Sequence, residues 1–357
     1  MSGTDSAGSR SGTDSAGSRS SSIVDVKDLT VRYRRRGSLR RNEFTAVDGV
    51  SFEIGAGRTL GIAGESGSGK SSVARALMRV HDPAAGSVRV AGREVTTLRG
   101  GALQRFRRHM QMVFQDPYDS LNPRLTVGDN VAEALTAAGV PRPDHVLRVR
   151  DLFDRVGLPA AFTGRYPHQL SGGQRQRVSI ARALAVSPQV LVCDEAVSAL
   201  DVSVRAQILN LLKDLQEADG LAYLFISHDM STLRFIADDV AIMYQGRIVE
   251  LGPADEVFAR PRHPYTRALI AAIPQPGVGR RHRRGLVGGE APSAEAVLTG
   301  CAFAPRCPLA TEVCREHRPL LIAEPGGHQA ACHHADAVGS LTVTADTTVP
   351  HQQGRTA

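Results

Sequence analysis

The chain contains no tryptophan, and aromatic residues of all kinds supply 4% of its 357 positions. Proteins that hold single-stranded nucleic acid stack bases on exposed rings, and this chain has few rings to offer. No apolar run approaches the ~20 residues that cross a bilayer as a helix. The first residues also lack the apolar stretch of a secretory signal, so the chain is expected to stay in the reducing cytosol and to span no membrane itself. Cysteine is scarce: five residues in such a compartment suit thiols or metal ligands better than disulfides. No heptad run points to a coiled-coil arm.

What is present is the make-up of an ordinary globular chain, 42% hydrophobic and 22% charged. A fold of this size buries roughly 75% of its unfolded surface. The net charge of +7 raises nucleic acid or acidic lipid as partners. The arginines, however, gather in loop-like stretches at 34–36, 40–41 and 280–284, where they read as solvated linker charge. No nucleic-acid partner is expected.

Residues 2–10 recur unchanged as 11–19, a repeat of small polar residues that cannot build a core, so 1–22 is expected to be a disordered tail. Strand patterns follow at 23–26 and 29–33, around Val47, Val50, Phe52 and Ile54, and over 87–98 with a turn at Ala91-Gly92. Prolines 141, 143, 159 and 167 break the region from about 125 to 172 into short helical pieces. Alternation of helix and strand then returns. A helix over 174–185 leads to a buried strand at 190–193, then a helix with Ile208, Leu211, Leu212 and Leu215 on one face, then a strand at 222–226. Residues 240–243 and 247–251, joined by Tyr244-Gln245-Gly246, read as a hairpin. The main domain therefore runs over 23–273, a linker over 274–299, a small cysteine-bearing module over 300–336 and a disordered polar tail over 337–357.

The chemistry begins at Gly64-Glu65-Ser66-Gly67-Ser68-Gly69-Lys70-Ser71, which fits G-x-x-x-x-G-K-S/T between a strand-like run at 59–63 and a helical pattern. Glycines let successive N–H groups turn inward on a polyphosphate, and the new helix adds the positive end of its dipole. In such a loop Lys70 reaches the β- and γ-phosphates, and the Ser71 hydroxyl, with Ser72 beside it, completes a Mg²⁺ shell. Residues 190–195 are an apolar run ending in two carboxylates. Asp194 is placed to hold Mg²⁺ through its water shell and Glu195 to polarise an attacking water. Ser171-Gly172-Gly173-Gln174 opens a helix with free N–H groups and a hydroxyl, a second phosphate-binding element. One γ-phosphate is already held by Lys70, so the second element implies a composite site made by two subunits.

Leu170 to Gln174 reads LSGGQ, and with it the chain resembles the ATP-binding-cassette (ABC) ATPases. Gln115, in Phe114-Gln115-Asp116-Pro117, is similar to the family's Q-loop, which touches Mg²⁺ and the transmembrane partner. Ser198-Ala199-Leu200-Asp201 is similar to the D-loop, and His228 to the switch histidine that contacts the γ-phosphate. Tyr33 sits where the family stacks an aromatic ring on adenine, while Ala196 stands where many members carry proline. The resemblance implies an α/β fold: a P-loop NTPase core with an antiparallel β subdomain, an inserted helical subdomain and a small C-terminal extension. It also implies ATP and Mg²⁺ as cofactors, with catalysis by Glu195 and His228. A second ATPase subunit, identical or homologous, is expected to present Ser171, Gly172, Gly173, Gln174 and Asp201 to the nucleotide.

The longer strings 114–124, 194–203 and 263–269 resemble the ATP-binding subunits of oligopeptide and dipeptide permeases over about 23–334. The implied partners are transmembrane permease subunits and, indirectly, a periplasmic or lipid-anchored substrate-binding protein. The implied location is peripheral, on the cytoplasmic face of the cell membrane. Related nickel importers share many of these strings, and a soluble cassette acting on nucleic acid or ribosomes is the rival of another class. Cys301, Cys307, Cys314 and Cys332 place four thiols in a 32-residue span, suited to Fe–S or Zn ligation or to free structural thiols. The same extension in peptide-permease ATPases resembles an iron–sulfur (4Fe–4S) module.

Overall fold

The computed structural model describes residues 22–34, 43–116, 120–273, 299–323 and 326–341. In chain order the first half forms β1 (Ser22–Arg34), β2 (Glu43–Gly55), β3 (Thr59–Ala63), α1 (Lys70–Leu77), β4 (Ala85–Val90), β5 (Arg93–Glu94), α2 (Gly100–Phe106), β6 (Met110–Val113), α3 (Val127–Ala138) and α4 (His145–Arg155). The second half forms α5 (Gly172–Leu184), β7 (Val190–Asp194), α6 (Val202–Asp219), β8 (Ala222–Ile226), α7 (Met230–Ile236), β9 (Asp239–Tyr244), β10 (Arg247–Pro253), α8 (Ala254–Ala259), α9 (Pro264–Ala271), α10 (Glu312–Glu316), β11 (Ile322–Ala323) and β12 (Gln329–Ala330).

Strands β9, β3, β8, β7 and β6 lie side by side and parallel. The unbroken apolar runs at 190–193 of β7 and 222–226 of β8 follow from burial on both faces. Val190 and Val192 belong to one core cluster with Val73 and Leu77 of α1 and residues of β1 and β2, whereas Leu191 and Cys193 belong to another with Val178 and Ile180 of α5 and Ile208 and Leu212 of α6. On one edge β10 and then β12 and β11 continue the sheet antiparallel. A second, antiparallel sheet has the order β2-β1-β4-β5. Helices α3 and α4 and short 3-10 turns fill the proline-broken region between β6 and α5. No helix among the described residues is long and apolar enough to cross a membrane.

The architecture is α/β, as expected, with one mixed and one antiparallel sheet, and departures from the expected segments have local causes. The two short strands expected at 23–26 and 29–33 are one strand, β1, with a register shift between Val26 and Leu29 where Asp28 takes φ +50°. Helix α5 starts at Gly172, ahead of the expected Gln174, because Ser171 caps it. Ser22, assigned to the leading tail, already pairs with Gly55; residues 1–21 lie outside the described residues, as do 274–298 of the expected linker. Thr299 belongs with the module, its hydroxyl donating to the Arg315 carbonyl at 3.3 Å. The module also runs past 336: Ala335–Ser340 is a 3-10 turn and Val338 is fully buried.

Candidate functional site

The loop between β3 and α1 holds three glycines at positive φ: Gly64 at 151°, Gly67 at 81° and Gly69 at 104°. A Cβ at Gly64 would overlap the Met243 carbonyl oxygen, and one at Gly69 the Ala46 carbonyl oxygen. Both conformation and space therefore demand glycine. Lys70, first residue of α1, folds back into the loop. Its Nζ donates to the Gly64 carbonyl at 2.7 Å and the Glu65 carbonyl at 2.8 Å and lies 3.4 Å from Ser68 Oγ. Burial holds its pKa below the usual lysine range, with Glu195, Asp194 and Glu65 opposing. Ser66 and Gly67 form the exposed tip, while Ser68 is buried.

The carboxyl ends of β3, β7 and β8 bring the remaining groups to this loop, the usual place for ligands in a parallel sheet. Ser71 Oγ donates to Asp194 Oδ1 at 3.1 Å. Burial pushes the Asp194 carboxyl up; the Ser71 hydrogen bond opposes, and the Glu195 charge adds to the rise. A hydroxyl and a carboxylate side by side are hard oxygen donors that fit Mg²⁺. Glu195 takes φ +51°, uncommon without a glycine. Its N–H donates to the Ile226 carbonyl at 3.0 Å, and its carbonyl accepts from Ser198 N–H at 3.0 Å and Ser198 Oγ at 2.9 Å. The backbone is thus fixed from two sides while Oε2 stands 3.2 Å from His228 Nδ1. A carboxylate and an imidazole in contact are equipped to take and pass a proton.

Tyr33 reaches the first turn of α1, its hydroxyl donating to Ser72 Oγ at 3.2 Å and its ring centroid lying 4.4 Å from that of His81. Gln115 is exposed just past the end of β6. Ser171 and Gln174 close a reciprocal cap: Ser171 Oγ accepts from Gln174 N–H at 3.3 Å, and Gln174 Oε1 accepts from Ser171 N–H at 3.0 Å. A Cβ on Gly173 would overlap Val204 Cγ1 of α6, and one on Gly172 would touch Leu200 Cδ2 at 3.6 Å. Asp201 caps α6, Oδ1 accepting from Val204 N–H at 2.9 Å and from Ser203 Oγ at 2.8 Å. The structure thus sorts the expected residues into two groups. Lys70, Ser71, Asp194, Glu195 and His228 meet at the strand ends, whereas the 171–174 turn and Asp201 are packed together through α6.

The structure gives no support to the expected iron–sulfur cluster. Cys301, Cys307, Cys314 and Cys332 share one module, close enough that the other three charges help raise the Cys332 thiol, which burial foremost pushes up to about 12. Yet no group of three or more His, Cys, Asp or Glu among the described residues is arranged to hold a metal ion. Cys314 is buried and the other three are half-buried, and burial pushes the Cys301 and Cys307 thiols up as well. Two residues of the C-terminal region reach the loop without having been singled out. Arg306 pairs with the Glu65 carboxylate, and the Tyr265 hydroxyl accepts from Glu65 N–H at 2.7 Å. No spacing pattern connects positions 241 residues apart.

Known proteins resemble this chain over most of its length. Residues 47–198 match the ABC transporter family, and residues 249–314 match the oligopeptide/dipeptide transporter C-terminal region. The probable peptide ABC transporter ATP-binding protein y4tS of Sinorhizobium fredii is 50% identical over 87% of this chain and 90% of its own length. The di/tripeptide transport ATP-binding protein DppF of Pseudomonas aeruginosa is 46% identical over 88% of this chain and 98% of its own. Among solved structures, the dimeric post-hydrolysis state of the ATP-binding cassette MJ0796 bound to ADP and Pi aligns with a TM-score of 0.58 at 30% identity, over 65% of this chain and 99% of that one.

Proposed function

The chain belongs to the ATP-binding proteins of ABC transporters, and from that premise we propose that it hydrolyses ATP to drive a peptide importer. The observation that carries the reading is the meeting of Lys70, Ser71, Asp194, Glu195 and His228 at the ends of three adjacent strands. Lys70 exchanges the Gly64 and Glu65 carbonyls for β- and γ-phosphate oxygens, a stronger charge-assisted pairing. Ser71 and Asp194 would hold Mg²⁺, which would neutralise phosphate charge. Glu195 accepts the proton of the attacking water, and His228 holds that carboxylate and faces the γ-phosphate. Tyr33 supports the adenine side, and Gln115 faces the transmembrane subunit.

The 171–174 turn and Asp201 act on the nucleotide of a second subunit. ATP bridges the two copies and ADP with phosphate does not, so hydrolysis reopens the pair and moves the permease subunits. Peptide as cargo is supported by the peptide and di/tripeptide transport roles of the relatives and by the matching C-terminal region; a separate binding protein would hand it over. Such a subunit sits peripherally on the cytoplasmic face of the membrane.

Light scattering of Glu195→Gln with MgATP and the companion ATPase subunit supplied tests the composite site. A nucleotide-dependent dimer is expected, and a strictly monomeric sample overturns it. Cargo is tested by uptake of labelled dipeptide and nickel in cells lacking the chain. Loss of dipeptide uptake alone is expected; loss of nickel uptake alone moves the assignment to metal import.

A further inference from the structure

We propose that Arg306, carried by the C-terminal cysteine module, is a positioning residue that shapes the phosphate loop through Glu65. The inference rests on the reading of residues 64–71 as the ATP site. Arg306 Nη1 and Nη2 donate to Glu65 Oε2 and Oε1 at 2.9 and 3.0 Å, a bidentate pair in which the arginine side chain is 10% exposed. The other handles of Glu65 are taken as well. Its N–H donates to Tyr265 Oη at 2.7 Å, and its carbonyl accepts from Lys70 Nζ at 2.8 Å and Ser68 N–H at 3.2 Å. One loop residue is therefore gripped from α1, from α9 and from the extension.

The gripping groups are themselves held. Tyr265 packs with Tyr244 and Phe303 at centroid separations of 4.8 and 5.5 Å, and Arg306 Cζ stands 5.9 Å from the rings of both Tyr244 and Phe303. The module does not need Glu65 in order to dock. Its strand β12 pairs with β10, and fully buried Glu250 of β10 meets His328 Nε2 at 2.8 Å while accepting from the N–H groups of Arg262 and His263 at 2.7 and 2.9 Å. With docking secured there, the Arg306–Glu65 pair is free to act on the loop. Holding the Glu65 backbone keeps the loop in its phosphate-ready shape and lowers the ordering cost of binding.

The test uses the full chain, a fluorescent ATP analogue and steady-state hydrolysis. Arg306→Gln and Glu65→Gln are each expected to weaken ATP binding and raise KM about tenfold with kcat within about twofold, a coupling of ordinary size. Arg306→Lys, keeping the charge but not the fork, falls between. The double variant is expected to be no worse than the worse single, because both remove one interaction. Wild-type KM in Arg306→Gln, or effects that multiply in the double variant, overturns the proposal. If Arg306→Gln fails to fold, Glu65→Gln reads the same bond from its other end. Lys70→Ala is the control: ATP bound by it as tightly as by wild type removes the loop as the ATP site, whatever Arg306 does.

Discussion

Adding one methyl group to Gly173 asks whether the 171–174 turn works through packing or through access to phosphate. In the structure that methyl overlaps Val204 Cγ1, and a β-branched side chain at a helix start has few rotamers in which to retreat. Overpacking of this kind costs about 1–3 kcal/mol. Alanine in place of glycine within a helix returns about 0.5–1 kcal/mol. Gly173→Ala is therefore expected to destabilise the protein by roughly 0–2.5 kcal/mol. In a Val204→Ala background the collision is gone and only the helix gain remains, so the cycle should show a coupling of about 1–3 kcal/mol. Denaturant unfolding measures the stability, and phosphate release measures the activity. If the turn must meet the nucleotide of a second subunit, the double variant recovers stability while its ATPase activity stays low. An equal stability loss in both backgrounds refutes the packing argument; ATPase activity that returns together with stability refutes the phosphate role.

Glu195→Gln keeps the side-chain shape beside His228 and is expected to slow phosphate release by ~10²–10⁴ with ATP binding intact, the range for a lost general base; near-normal turnover places the base elsewhere. Lys70→Ala removes the ammonium that meets the phosphates, and a fluorescent ATP analogue should bind it more than about tenfold more weakly. Asp194 carries a pKa raised by burial, so the folded state holds a proton that the unfolded chain releases and stability falls as pH rises through that interval. Asp194→Asn removes the cost of the buried charge; its Tm should exceed wild type at neutral pH, with the gap closing on acidification and Mg²⁺-dependent ATP binding lost. A lower Tm at neutral pH contradicts that sign.

The meeting of residues at the strand ends was legible because its determinants are local. A glycine at φ 104° before Lys70 and an apolar run ending in Asp194-Glu195 are each written in a few consecutive residues. Strand burial on both faces turned β7 and β8 into uninterrupted apolar runs, and the Gln245-Gly246 turn, with φ of 44° and 79°, closed the β9–β10 hairpin where its residues foretold. Local signals misled where one residue altered the geometry. Asp28 in the left-handed region shifts the register of a continuous strand that reads as two. Val338 buries a segment whose composition reads as tail.

Gly173 and the four thiols show the other limit, since spacing fixes only which residues can approach, not the distances at which they stop. A Ser-Gly-Gly turn reads as an anion site, yet in this subunit the second glycine is also required by Val204, thirty-one positions onward and on another helix. Cys301 to Cys332 read as a ligand set, yet no group of three or more His, Cys, Asp or Glu among the described residues is arranged to hold a metal ion. The grip of Arg306 on Glu65 is the extreme case. It exists because β12 extends the sheet that carries the phosphate loop, and edge pairing of two residues with Glu250 and Leu251 leaves no periodic trace in the chain. A short strand added at the sheet edge thus brings a guanidinium to the phosphate loop, so substitutions in the cysteine module should register as changes in nucleotide affinity before they register as unfolding.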